Sequence, residues 1–244
     1  MGDSAAIRFI LDGELIEVDN VDPTRTVLQY LREDLRRKGT KEGCAEGDCG
    51  ACTVVLAELS RDGKGVELKA VNSCIQFLPT LDGKELITVE GLVNGEELHP
   101  VQKALVDHHA SQCGFCTPGF VMSLFALYET NPSPDRLDID DALAGNLCRC
   151  TGYRPIIAAA LDMYSLPPQS SPDRAVALKK IQRKEMLQIE HQGRLFFAPE
   201  NCAELASLLQ QYPGATILAG GTDVGLWVTK QHRELDVVIY TGKV

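Results

Sequence analysis

Eight of the nine cysteines fall into two sets whose spacing suits a metal. Cys44, Cys49 and Cys52 are separated by four and then two residues, and Cys74 follows after 21 more. That is the ligand order of a plant-type 2Fe-2S centre. A 2Fe-2S core with four thiolates carries about two negative charges, which backbone N–H groups directed at sulfur stabilise. Gly43, Gly47 and Gly50 interleave with these cysteines, so the backbone there can take positive φ and approach a cluster with no Cβ in the way. The second set is Cys113-x2-Cys116 and, 31 residues later, Cys148-x1-Cys150, each pair at the junction with a predicted helix. Four thiolates meeting there would hold another cluster. Structural zinc also takes four cysteines and often uses a C-x2-C pair; it stays open as the alternative, more at the second set than at the first. Cys202 has no cysteine near it in sequence and is expected to be a buried, inert thiol.

Local patterning says which elements hold these sets. Residues 7–18 read as two short strands around Asp12-Gly13, a dipeptide suited to a tight hairpin because both central positions need positive φ. From Thr24 onward, Val27, Leu28, Leu31 and Leu35 recur at helical spacing, with Gly39 placed to stop the helix. Residues 53–59 read as an apolar strand, and Asp62-Gly63 and Asp82-Gly83 mark turns. A first domain over residues 1–91 is therefore expected to be mixed α+β. Over residues 92–165 the strand signals fade, and helices are expected at 101–109, 118–129, 139–144 and 155–164. Pro118 suits the first position of a helix and Thr117 can cap it, which sets Cys116 at a helix entrance. Residues 166–172 are rich in Pro and Ser, and a charged, helical stretch to about residue 190 reads as a connector, so 166–193 is expected to be a linker. From residue 194, a helix through Leu205 and Leu208 and a strand at 216–218 lead to a glycine pair; residues 194–244 are too few for a third complete domain.

A chain of 244 residues with 44% hydrophobic content is ordinary for one large domain or a few small ones. The apolar runs at 119–128 and 156–161 fall far short of the roughly 20 residues that span a bilayer. Asp3, Asp12 and Glu14 stand where a signal peptide needs a basic start and an apolar core, and Ala6 replaces the Ser or Thr of a myristoylation motif. A cytoplasmic protein is expected. A formal net charge of -10 repels phosphate backbones and anionic membranes alike, so neither nucleic acid nor membrane is expected as a partner. Disulfides are rarely stable in a reducing compartment, which again turns clustered cysteines toward metal. His99, His108 and His109 have no matched acid or metal spacing and are expected to be solvated or to cap. Lys179, Lys180, Arg183 and Lys184 read as a solvated helix face.

The stretches Gly43-Cys44-Ala45-Glu46-Gly47-Asp48-Cys49-Gly50-Ala51-Cys52-Thr53, Gln112-Cys113-Gly114-Phe115-Cys116-Thr117-Pro118-Gly119 and Gly145-Asn146-Leu147-Cys148-Arg149-Cys150-Thr151-Gly152-Tyr153 strongly resemble the molybdenum hydroxylase family, over residues 1 to about 165. The resemblance implies an α+β fold in three parts: an N-terminal β-grasp domain like plant-type ferredoxins, an all-α four-helix 2Fe-2S-binding domain, and the start of an α+β FAD-binding domain. It implies that Cys44, Cys49, Cys52 and Cys74 hold a first 2Fe-2S cluster nearer the flavin. Cys113, Cys116, Cys148 and Cys150 would hold a second beside molybdopterin. Gln112 is implied to contact the pterin, and Cys150 to lie on the electron path from molybdenum; without the motif Gln112 reads as a solvated polar residue. Leu218-Ala219-Gly220-Gly221-Thr222-Asp223-Val224 looks like the family's flavin-pyrophosphate loop, where small residues let backbone amides approach phosphate. Alone, a strand followed by Gly-Gly is often just a turn.

Cluster domains, linker and flavin start in one chain are similar to the purine-oxidising members of the family. In the carbon monoxide-oxidising members these parts are separate polypeptides. The activity implied is oxidation of hypoxanthine or xanthine to urate at a molybdenum-molybdopterin centre on a larger partner chain, with electrons passing through both clusters to FAD and then NAD. The implied partners are that molybdopterin-binding subunit and the remainder of the FAD domain, in a hetero-oligomer. No catalytic residue is expected in this chain. An aldehyde or N-heterocycle substrate, a free-standing electron carrier and a zinc-stabilised interaction module are the alternatives.

Overall fold

In the computed structural model, which describes residues 5–170 and 172–244, Asp12 and Gly13 both take positive φ, 49° and 87°. Asp3 and Ser171, which entered the leader and linker readings, lie outside the described residues. The turn at Asp12-Gly13 pairs β1 (Ile7–Leu11) antiparallel with β2 (Glu14–Val18), as the dipeptide predicts. The next helix is shorter than its apolar spacing suggests. A Thr26/Gln29 capping box starts α1 (Val27–Gln29), which widens into one π-type turn, Tyr30–Asp34. The chain leaves it where Arg36 takes φ 58°, so the predicted stop at Gly39 comes too late. β3 (Thr53–Leu59), β4 (Val66–Asn72) and β5 (Glu85–Ile87) complete a five-stranded sheet of order β2-β1-β5-β3-β4. Only the β1–β5 pairing is parallel.

Both faces of this sheet are covered. On β3, Val54 and Leu56 point to one side and Val55 and Ala57 to the other, and all four are buried. The second face carries α2 (Pro100–Asp107), α3 (Thr117–Thr130), α4 (Arg136–Leu143) and α5 (Arg154–Asp162), close to the four predicted spans. α3 buries Phe120, Val121, Met122, Leu124 and Phe125, which together reach round most of its circumference; it is the central helix. Each such side chain contributes roughly 1.5–3 kcal/mol by leaving water. Thr117 does not cap α3. It is the first helical residue, behind Cys116, and its hydroxyl is engaged by Ser111 Oγ at 2.8 Å. His99 does cap α2, its Nδ1 accepting from the Val101 N–H at 3.3 Å. It is buried, edge-on to Phe125 and Tyr128, while His108 meets Asp162 at 3.0 Å.

The first face, through Ile7, Phe9, Val54, Leu56 and Leu86, packs on Val27 and Leu31 and continues into a second sheet. That sheet has the order β6-β7-β9-β8, formed by β6 (Leu187–His191), β7 (Arg194–Ala198), β8 (Thr216–Leu218) and β9 (Val237–Tyr240). Within the span expected as a linker lie β6 and α6 (Arg174–Ile181). α6 buries Leu178 and Ile181 against the helical layer. Just beyond it, Arg183 ion-pairs with the buried Asp82 at 2.8 Å, so one member of the basic run is a tether instead of a solvated charge. α7 (Cys202–Gln211) follows β7, and α8 (Val224–Thr229) follows β8. Cys202 is exposed, contrary to the expected burial, because it opens the first turn of α7 while Leu208 carries the buried side. Among the described residues no helix is long and apolar enough to cross a membrane.

Two cysteine centres and a glycine loop

The loop between α1 and β3 turns back on itself because Ala45, Gly47 and Gly50 take φ of 54°, 75° and 69°. Its N–H groups are thereby aimed at sulfur. The amides of Glu46, Asp48 and Cys49 each lie 3.4 Å from Cys44 Sγ. Cys44 N–H lies 3.4 Å from Cys49 Sγ, and Gly47 N–H 3.3 Å from Cys74 Sγ. Cys52 and Cys74 are buried, and their side chains meet. Asn72 holds the loop from β4, its Nδ2 donating to the Gly47 carbonyl at 2.8 Å.

The thiol acidities follow from this geometry. Burial raises the pKa of Cys44, but three backbone N–H donors outweigh it and hold the thiol below its ordinary range. Its neighbour Cys49 is raised, chiefly by burial. Cys52 falls to about 7 because the Cys74 thiol donates to it, and Cys74 rises as that donor and through burial. Each pair thus releases one proton readily and holds the other, which a coordinated metal would displace.

The second set is built likewise. Gly114 (φ 81°) turns the chain between Cys113 and Cys116, and Gly152 and Tyr153 (φ 68° and 66°) turn it after Cys150. Tyr153 Oη accepts from the Cys148 N–H at 2.8 Å, fixing that loop. Cys150 Sγ donates to Cys113 Sγ at 3.5 Å, and Cys116 pairs with Cys148. Cys116 is pushed up to about 12, first by burial and then by Cys148. For Cys148, burial works upward, but the Thr151 hydroxyl and backbone donors bring the thiol down. Cys113 and Cys150 are exposed, with Gln112 beside them and Phe115 and Leu147 as exposed apolar neighbours.

Each set is therefore two thiol pairs. Among the described residues no three His, Cys, Asp or Glu side chains close on one point as a single ion requires. Two pairs with amides directed at sulfur suit a two-iron core, one pair to each iron.

The sets are locked to each other by a residue to which sequence reasoning gave no role. Asn146 is buried and donates to the Gly50 carbonyl at 3.1 Å, while its Oδ1 accepts from Ser123 on α3 at 2.6 Å. Leu147 N–H adds a bond to the Cys49 carbonyl at 3.0 Å. The signal available was an amide side chain inside a cysteine motif, which by itself does not say what it bonds.

The glycine loop follows β8. Leu218 is buried, Ala219, Gly220, Thr222 and Asp223 are exposed, and Val224 is half-buried. Gly221 is buried at φ 75°, and a Cβ there would lie 3.0 Å from the Ile75 carbonyl oxygen. Nothing lies within 4 Å of a Cβ built at Gly220, so the outer edge of the loop is open to a phosphate while its inner edge rests on the residue after Cys74. The residues present fit a flavin pyrophosphate on that ground.

Three family models match in chain order. They are a 2Fe-2S iron-sulfur cluster binding domain over residues 9–77, a 2Fe-2S binding domain over 88–161, and an FAD binding domain in molybdopterin dehydrogenase over 185–244. The chain is similar to xanthine dehydrogenase of Emericella nidulans, 51% identical over 159 residues, covering 65% of this chain and 12% of that protein. It is similar to xanthine dehydrogenase/oxidase of Mus musculus, 34% identical over 272 residues, covering 95% of this chain and 20% of that one. It thus spans between about an eighth and a fifth of these relatives. A solved chain of quinoline 2-oxidoreductase from Pseudomonas putida 86 is 34% identical, with a TM-score of 0.57, over 73% of this chain and 98% of that one.

Proposed function

The chain belongs to the molybdenum hydroxylases, as an iron-sulfur and flavin-binding region of these oxidoreductases, and from that premise we propose how its residues serve electron transfer. Cys44, Cys49, Cys52 and Cys74 hold one 2Fe-2S cluster, and Cys113, Cys116, Cys148 and Cys150 the other. When bound, the clusters supply one-electron carriers between a two-electron molybdenum centre and the flavin. The observation that carries the assignment is the pairing of the thiols in both sets, with backbone N–H groups directed at Cys44 and Cys74 in the first and at Cys113 and Cys148 in the second.

The chain's own work is placement and tuning. Burial of Cys52 and Cys74 keeps water from one side of the first set, and Asn146 keeps the two loops at a fixed separation. Gln112 and Cys150 face outward among Phe115 and Leu147, which suits contact with a molybdopterin-bearing partner chain and its pterin. Backbone amides of residues 218–224 receive the FAD pyrophosphate, with the remainder of the flavin domain completing the site. In this reading the units are residues 1–91, 92–165 and 194–244, with 166–193 as the connector that also lends β6 to the sheet of the third unit.

A purine is the substrate this reading favours, hypoxanthine or xanthine going to urate with NAD as the acceptor, in a cytoplasmic hetero-oligomer. The xanthine dehydrogenase relatives support it. The quinoline 2-oxidoreductase likeness is the specific reason to keep an N-heterocycle as the second reading.

The test is iron, sulfide and zinc content of anaerobically purified protein, with electron paramagnetic resonance after dithionite reduction. About four irons per chain and two reduced 2Fe-2S signals are expected. About two zincs and no iron would overturn the assignment in favour of a zinc-stabilised module.

A further inference from the structure

Lys230, at the C-terminal end of α8, reaches back to the first cysteine loop. Its Nζ donates to the carbonyl oxygen of Cys44 at 2.6 Å and lies 3.4 Å from the carboxylate of Glu46. The lysine is 186 residues from Cys44 in sequence and belongs to the unit that carries the glycine loop. α8 is seated there by close contact: Gly225 rests on Ile75, where an added Cβ would come 2.7 Å from the Ile75 Cβ, and Leu226 packs against Cys52, Cys74 and Ile75.

The loop it touches is rich in negative charge. Glu42, Glu46 and Asp48 lie among Cys44, Cys49 and Cys52, while the loop's own Lys41 donates to the Lys38 carbonyl. An electron added to a thiolate-ligated 2Fe-2S core deepens its charge from about two to about three negative, so a nearby cation favours the reduced form. The contact also has a direction. In a planar trans peptide the C=O and N–H point opposite ways, so holding the Cys44 carbonyl toward Lys230 turns the Ala45 N–H away from it. Glu46, which pairs with the same ammonium, directs its own N–H at Cys44 Sγ.

We propose that Lys230 is a positioning residue, supplied by the flavin-binding unit, that pins the Cys44–Glu46 turn and raises the potential at which the first 2Fe-2S centre accepts an electron. Reducibility of that centre then depends on the flavin-binding unit being docked. The inference rests on the cluster assignment above and goes beyond it by naming what tunes one cluster and not the other.

The experiment is a redox titration of both 2Fe-2S signals by electron paramagnetic resonance, on the full iron-loaded enzyme at fixed pH, comparing wild type with Lys230→Gln, Lys230→Arg and Glu46→Gln. Lys230→Gln is expected to move the first centre's midpoint to a more negative potential and leave the second where it was. Lys230→Arg should restore most of the shift. Glu46→Gln should move the first centre the opposite way, because it removes a negative charge. A purely mechanical clamp is broken by either glutamine variant and predicts shifts of one sign; that result, or unchanged midpoints with both signals present, overturns the inference and leaves the cluster assignment standing. Wild-type protein without reduced iron signals overturns the assignment, and the inference with it.

Discussion

Asn146 Nδ2 lies 3.1 Å from the carbonyl oxygen of Gly50, joining the loop of Cys148 to the loop of Cys49 and Cys52 across 96 residues of sequence. The same amide reaches Thr53 Oγ1 at 3.3 Å and accepts from Ser123 at 2.6 Å. Asn146→Ala leaves the buried Ser123 hydroxyl without its acceptor and opens a polar void. The expected loss is about 1–3 kcal/mol in a urea titration. An unchanged midpoint would show that this contact does not hold the two loops together.

Directly beside it, Gly119 lies against the Gly50 carbonyl so closely that a Cβ would come 2.0 Å from that oxygen, whereas nothing lies within 4 Å of a Cβ at Gly145. Gly119→Ala is therefore expected to cost more than about 3 kcal/mol or to prevent soluble expression. Gly145→Ala, nearby in space, should be tolerated within about 1 kcal/mol. Equal stability of the two variants would contradict the close packing of the two units.

Removal of single ligands should separate the centres. Cys52→Ala is expected to abolish the first reduced signal and Cys113→Ala the second, each with a loss of about two irons per chain. Cys202→Ala, at an exposed position on α7, should retain both signals and the full iron content. Loss of iron in the Cys202 variant would mean that the ligand sets are wrongly drawn.

His99 gives the fold an acid sensitivity of definite sign. Burial, with a contribution from Arg174, lowers its pKa from 6.5 to about 4. Above pH 6.5 the ring is neutral in both folded and unfolded chains. As the pH falls from there toward 4, the unfolded chain binds a proton that the folded chain does not, so stability falls. Between pH 7.5 and pH 5 this amounts to about 2 kcal/mol. His99→Asn keeps a cap for α2 and should flatten that part of the profile in urea titrations at the two pH values. A profile as steep as wild type would place the acid sensitivity elsewhere.

The cysteine spacing could be read directly because residue order along a loop is a local property. Four residues between Cys44 and Cys49 and two before Cys52 constrain how a short, glycine-bearing segment can wrap a core. The hairpin at Asp12-Gly13 and the four helices of the second layer were legible for a similar reason, since turn chemistry and helical periodicity act over a few residues. The early end of α1 at a π-type turn was not legible, because Arg36 in positive φ carries no residue-type signal comparable to glycine. Nor was β6: its strand character inside the expected linker depends on pairing with β7. Nor was the exposure of Cys202 legible, because the side of α7 it occupies is decided by which side the sheet covers.

What the sequence by itself determined was the two cysteine sets, the order of the units and the residue types that permit tight backbone turns. Only the tertiary structure decided that Cys113 pairs with Cys150, that Asn146 ties one loop to the other, and that Lys230 returns to the Cys44 carbonyl. The physical reason is that ligand spacing and turn preference are set by bonds within a segment. These pairings instead arise where segments 37 to 186 residues apart are brought together by burial of the two faces of one sheet, and no local pattern records which side chains meet there.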